Sequence, residues 1–200
     1  MHRALGTAAF DDALVAAHRR NLPTYGYGVK GYVLSAIEAA SQCFVANVPS
    51  SLVQAIVTMG QDLLDQDIVL LAGVEESLEA LGAHFELVLI TKGDLLHQEQ
   101  KLARSAIGGH FDRVEIVSDK TAATYRRVLG ASPSHRPVAA MVGNSIRSDI
   151  LPAIEAGAYG LNVPHNIVWD HEVMDLPLGD PLYRQFANIA EATAWLLQEA

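Results

Sequence analysis

The stretch MVGNSIRSDILPAIEAG, residues 141–157, decides the fold. Its apolar run is broken at Gly143, a residue that lets the backbone turn sharply. Asn144, Ser145 and Asp149 follow, and then a helical pattern that closes at Gly157. A buried strand handing over to a helix through a polar turn is the unit from which open parallel sheets are built. The turn presents a carboxamide, Asn144, and a carboxylate, Asp149, at the mouth of a strand. Such oxygen donors, completed by water and a substrate phosphate, suit Mg²⁺ better than a softer metal. The same residues also read as a helix start, with Ser148 or Asp149 as its N-cap.

Working outward, Phe85–Ile90, Arg113–Val117, Pro137–Val142 and Tyr159–Val163 are short apolar runs that read as buried strands, with a weaker one at Phe186–Ile189. Helices are expected over 74–82, 94–107, 120–130, 148–157 and 190–199. Strand–helix alternation with short loops predicts an α/β fold with a doubly wound, Rossmann-like parallel sheet. Ahead of residue 68 the pattern is helical throughout. Asp11–Asn21 forms a first helix, stopped by Pro23. Val33, Ile37, Ala40 and Phe44 line one face of a second, and Val53, Ile56, Val57, Leu63 and Leu64 face inward from a third that starts at Pro49-Ser50-Ser51. The expected organisation is a helical unit over 1–67 and an α/β core over 68–200.

Ligands of such sheets sit beyond the carboxyl ends of the strands. At one end, the Thr91 hydroxyl and the amides of Lys92 and Gly93 make a cradle for an oxyanion, while Asp94 caps the next helix. At another, Lys120 stands where a strand gives way to a helix, a position at which a cation opposes the helix dipole. An ammonium there neutralises charge that develops during phosphoryl transfer.

The order Thr91, then Lys120, then GNSIRSD after the third strand resembles the haloacid dehalogenase-like (HAD) hydrolase superfamily. The resemblance spans nearly everything from Tyr25 to His171 and includes LLAGVEESLEALGAHFELVLITKGDLLHQEQKLARSAI. It implies that Thr91 binds the transferred phosphoryl group, that Lys120 is the family's active-site lysine, and that Asn144 and Asp149 help to hold Mg²⁺. It also makes YGYGVKGYVLSAIEAA the entry to a helical cap of the C1 type. The activity implied is Mg²⁺-dependent hydrolysis of a small phosphorylated metabolite. An aspartate would attack phosphorus, and water would then cleave the aspartyl-phosphate. Dehalogenation through the same carboxylate is the weaker option.

Two departures from the family pattern matter. Asn144 stands where many relatives carry Asp, which removes one formal charge and leaves Asp149 as the charged ligand. In addition, no D-x-D-x-[TV] nucleophile motif precedes the helical segment. Asp11 and Asp12 in AAFDDAL are adjacent, and adjacent carboxylates diverge by about 100° on a helix. The first central strand, which would carry the nucleophile, is therefore expected to be absent from this chain, by truncation or by loss. The chain as written is expected to show no phosphatase turnover through an aspartate. The alternatives are a non-catalytic HAD-like protein that binds a phosphorylated ligand or a protein partner, and a receiver-like phosphate sensor. The long helical segment argues against the second.

Other signals carry less. Gly26, Gly28 and Gly31 spell G-x-G-x-x-G, but HRRNLPTY before them is not the strand that a dinucleotide fingerprint needs. Cys43 reads as a buried small hydrophobe. His165 and His171 have no recognised metal spacing, and WLLQEA reads as a terminal helix packed on the sheet. The 200 residues carry 14 basic and 23 acidic side chains, a formal charge of −9, which argues against nucleic acid or a membrane as partner. One cysteine excludes an internal disulfide framework. With no long apolar stretch and no signal-like N-terminus, a cytoplasmic location is expected.

Overall fold

The computed structural model describes residues 8–44, 47–130, 139–165 and 174–199. In chain order these form α1 (Ala8–Tyr25), α2 (Val29–Cys43), α3 (Ser50–Asp65), α4 (Val74–Gly82), β1 (Val88–Lys92), α5 (Leu95–Ser105), β2 (Arg113–Val117), α6 (Ala122–Leu129), β3 (Ala140–Gly143), a π-helical turn (Ile146–Ile150), α7 (Leu151–Ala156), β4 (Tyr159–Asn162), β5 (Tyr183–Gln185) and α8 (Ile189–Glu199). The chain divides into two compact units. One comprises the chain up to Ile68 together with Gly93–Arg104, and the other Val69–Lys92 together with the chain from Ser105 onward. Residues 93–104 cluster with the helical unit although they lie between two strands of the α/β unit. No helix among the described residues is long and apolar enough to cross a membrane.

In the helical unit, Ala36, Ala39 and Ala40 of α2 let α1 and α3 approach closely, and Phe10, Leu52 and Ile56 close the core around them. Helix α1 runs through Pro23 to Tyr25 rather than stopping at Asn21. The carbonyl that Pro23 leaves unserved is that of Arg19, an exposed residue, so water can satisfy it. The outward reading of α2 needs correction at its end. The helix stops at Cys43, Phe44 is extended and exposed, and Cys43 is exposed rather than buried. On α3 the fully buried positions are Leu52, Ile56 and Gly60, while Val53, Val57, Leu63 and Leu64 are half-buried. Gly26 and Gly28, both at positive φ, form the turn from α1 into α2, and Gly31 lies in the first turn of α2; a helix and not a strand precedes them.

The α/β unit carries two parallel sheets, β1–β2 and β3–β4–β5. Among the described residues no strand joins β1 to β3, so the single continuous sheet expected from the alternation is divided there. Ile90 of β1, Tyr125 and Val128 of α6, and Ala153 and Ala156 of α7 nevertheless share one apolar cluster, with Met141 of β3 packed against it. Helices cover both faces of the β3–β4–β5 sheet. A Cβ at Gly160 would lie 2.8 Å from the Ile150 side chain and 3.0 Å from that of Ile154, whereas Tyr159, on the opposite face, meets Trp195 of α8 edge-on at 5.2 Å.

Several strand boundaries differ from the expectation; that of β4 differs by one residue, ending at Asn162. Strand β1 starts at Val88 rather than Phe85, because the Phe85 N–H is still engaged by the Leu81 carbonyl at the end of α4. The strand also ends later, at Lys92 rather than Ile90, so Thr91 and Lys92 lie inside it. Strand β3 runs to Gly143. The last strand is Tyr183–Gln185, not Phe186–Ile189. Phe186 packs against Trp195 instead, and the Asn188 side chain receives the Glu191 N–H as the chain enters α8. The helix expected over 148–157 begins earlier, as the π-helical turn, and continues as α7.

Candidate active site

The carboxyl ends of β1, β2 and β3 bring Lys92, Lys120, Ser148 and Asp149 together within the α/β unit. Asp149 is 4% exposed, and its carboxylate lies directly over Gly143. A Cβ at Gly143 would come within 2.6 Å of Asp149 Cβ and Cγ, so only glycine permits this approach. Asp149 Oδ1 accepts from the Lys120 ammonium at 2.7 Å, and Oδ2 accepts from the Ser145 N–H at 3.0 Å. Lys120 reaches this carboxylate from the loop between β2 and α6, just ahead of the Thr121 N-cap.

The neighbouring residue, Ser148, is fixed at three atoms. Its N–H donates to Ser145 Oγ at 3.0 Å, its carbonyl accepts from the Tyr125 hydroxyl at 3.0 Å, and its Oγ lies 2.6 Å from the Lys92 ammonium. The local sequence explains the second of these bonds. Pro152, four residues on, has no N–H to offer the Ser148 carbonyl, and a tyrosine from α6 supplies the donor. Tyr125 is wholly buried. Burial, reinforced by the charge of Asp149, pushes its phenol well above the usual tyrosine range, which keeps it a donor. A π-helical turn is a rare element that concentrates at functional positions; here it carries both Ser148 and Asp149.

Each candidate residue has a defined place. Thr91 is half-buried in β1, on the strand face opposite Lys92. Gly93 adopts φ +142°, where a Cβ would also meet the Gln98 amide at 2.8 Å. Gly93 clusters with the helical unit, as does Asp94, whose carboxylate caps α5 through the His97 N–H and holds the Lys30 ammonium at 2.9 Å. Asn144 is exposed at the turn after β3. His165 lies beyond β4, and His171 falls outside the described residues. The sequence reading passed over Ser148 except as a cap, and over Tyr125 altogether. The pairing of Ser148 with Pro152 was the available signal for both.

The donor set does not fit a divalent cation. Asp149 has both oxygens engaged, Asn144 is neutral, and among the described residues no group of three His, Cys, Asp or Glu side chains could hold a metal. A D-x-D-x-V string does occur at Asp65–Val69, but Asp65 closes α3, both acids are exposed and neither follows a strand in the chain.

Comparison with known proteins supports the fold. No family model matches the chain, and no curated protein does. Among solved structures, a haloacid dehalogenase-like family hydrolase from Xanthomonas campestris is 35% identical, with a TM-score of 0.79 over 92% of this chain and 74% of its own. The HAD-hydrolase YfnB of Bacillus subtilis, in a structure bound to magnesium, is 14% identical over 95% of this chain and 83% of its own, with a TM-score of 0.60. A predicted phosphoglycolate phosphatase from Haemophilus somnus is 17% identical over 94% of this chain and 92% of its own, with a TM-score of 0.58. Haloacid dehalogenases are among the further matches. With parallel strands whose carboxyl ends carry Lys120 against Asp149, and with a relative of this identity and coverage, the chain belongs to the haloacid dehalogenase-like hydrolase family.

Proposed function

We propose that the α/β unit binds the phosphoryl group of a small phosphorylated metabolite, as part of a phosphomonoester hydrolase site. The observation that carries this reading is the Lys120–Asp149 ion pair, nearly out of water at the carboxyl ends of the strands, where ligands of such sheets bind. Lys120, oriented by Asp149, neutralises charge on the phosphoryl oxygens, and Thr91 offers a hydroxyl at the end of the neighbouring strand. Magnesium in the YfnB structure supports metal use by that relative. The residues described here hold no such ion by themselves, so no step is assigned to one.

Among the described residues no acidic pair occupies a strand tip, and we propose that the chain binds phosphomonoesters without turning them over through an aspartyl intermediate. The test is p-nitrophenyl phosphate hydrolysis by purified chain, with and without Mg²⁺, against Lys120→Ala. A rate no higher than the variant's is expected. Lys120-dependent turnover, with an acyl-phosphate trapped by hydroxylamine, would overturn this reading.

A further inference from the structure

We infer that Tyr125 is a positioning residue for phosphate, acting through the π-helical turn on the Lys120–Asp149 pair. The inference rests on the phosphate-binding reading above and adds to it the group that aims the pair. Lys120 and Tyr125 stand five residues apart at the start of α6, and the backbone between them is tied down. The Thr124 hydroxyl donates to the Asp119 carbonyl at 3.1 Å, the Thr124 N–H to Thr121 Oγ1 at 3.2 Å, and the Tyr125 N–H to the Thr121 carbonyl at 3.0 Å. This braced turn reaches two consecutive residues of the π-helical turn. The Tyr125 hydroxyl donates to the Ser148 carbonyl at 3.0 Å, and the Lys120 ammonium donates to Asp149 Oδ1 at 2.7 Å.

The two attachments are unlike. The ammonium ends a flexible four-carbon stem, so the ion pair by itself fixes a distance and little else. The Tyr125 ring is wholly buried and packed with Ile90, Val128, Ala153 and Ala156, where close packing holds it in place. A phenylalanine would fill the same core, and a buried hydroxyl is costly unless it is bonded. Its bond to the Ser148 carbonyl fixes where the π-helical turn lies relative to α6. Asp149 is the next residue, and its other oxygen is held within the turn by the Ser145 N–H. The direction of Asp149 Oδ1 is thereby set relative to the backbone of Lys120. One of the three ammonium hydrogens goes to that oxygen, and the direction of this bond decides where the other two point. Those two are what an oxyanion meets. Burial and the Asp149 charge keep the phenol protonated, so the bond persists at the pH values where phosphate is a dianion.

Orthophosphate titrated calorimetrically into the full chain, with Mg²⁺ present in every arm, tests this. Tyr125→Phe should weaken binding about fivefold or more, the scale of coupling within one hydrogen-bond network. The Lys120 ammonium signal in a ¹⁵N-resolved NMR spectrum, identified by its absence from Lys120→Arg, should shift or broaden in ligand-free Tyr125→Phe. Tyr183→Phe removes a tyrosine hydroxyl elsewhere in the unit, one that donates to Gln185 Oε1 at 2.8 Å, and should change neither readout. Urea unfolding establishes that both variants are folded under these conditions. Phosphate bound by Tyr125→Phe as tightly as by wild type would overturn the inference and leave the phosphate-binding reading intact. So would an equal loss in Tyr183→Phe, or an unmoved Lys120 signal. Absence of binding by the wild-type chain would overturn the reading itself, and the inference with it.

Discussion

The ammonium of Lys120 lies 2.7 Å from Oδ1 of Asp149, with the two side chains only 12% and 6% exposed. Ions so far out of water are tolerable only as a pair, because each separately would carry its full desolvation cost. Lys120→Ala should therefore destabilise the protein by about 3–5 kcal/mol. Lys120→Ala combined with Asp149→Ala should cost less than Lys120→Ala alone, because no uncompensated charge is left behind. Urea unfolding of the three variants measures this, and a double variant less stable than either single one would contradict it.

Gly143 is required by the carboxylate above it. Gly143→Ala places a Cβ 2.6 Å from Asp149 Cβ and Cγ, so Asp149 must shift away from Lys120. A loss of about 1–3 kcal/mol is expected from overpacking, together with weaker phosphate binding. Gly130→Ala is a useful contrast. Its φ of +63° strains the new side chain, but nothing lies within 4 Å of it, so phosphate binding should stay unchanged.

Tyr125→Phe removes a buried hydrogen bond to the Ser148 carbonyl and keeps the ring that fills the core. Loss of such a bond costs about 0.5–1.5 kcal/mol. In the wild-type protein the Tyr125 phenol should stay protonated through the pH range in which exposed tyrosines ionise. Absorbance titration near the tyrosinate band should show the same change for Tyr125→Phe as for wild type until unfolding begins.

In the helical unit, the Lys30 hydrogen bond is the largest influence on the Asp94 carboxyl; burial opposes it, the His97 N–H and the Lys30 charge add to it, and the carboxyl lies below its ordinary range. A depressed folded value means that the stabilisation is fully present above the unfolded carboxyl value of about 3.9 and is lost as pH falls through the folded value. His97, lowered chiefly by burial and then by Lys101 and Arg104, also makes stability fall on acidification, beginning near the unfolded histidine value of about 6.5. Asp94→Asn should flatten the acid limb of the stability curve by no more than about 1 kcal/mol, since the pair is partly exposed. His97→Gln should flatten the limb above it. Thermal melts across the acid range separate the two.

Much of this was legible beforehand because it depends on local order. Strands β2 and β4 and helix α4 sit where their apolar periods placed them, and Thr91, Lys120 and Asp149 stand at or beside strand ends because a strand that stops being apolar must turn there. The boundary errors have local causes that periodicity does not register. A helix end still holds Phe85 back from β1, and Asn188 turns an apolar stretch into a helix entry. Cys43 and Phe44 were misread because a helical face continues in the sequence past the residue at which the helix stops.

The sequence by itself determined the family, the class of fold and the residue types available at the strand ends, since each follows from neighbours in the chain. Only the tertiary structure decided which of those residues meet. Lys92 reaches Ser148 across 56 positions, Lys120 reaches Asp149 across 29, and Tyr125 reaches the Ser148 carbonyl across 23. Such pairings depend on strand register and helix packing, to which no local pattern is sensitive. They set the Lys120 ammonium against Asp149 and that of Lys92 against Ser148.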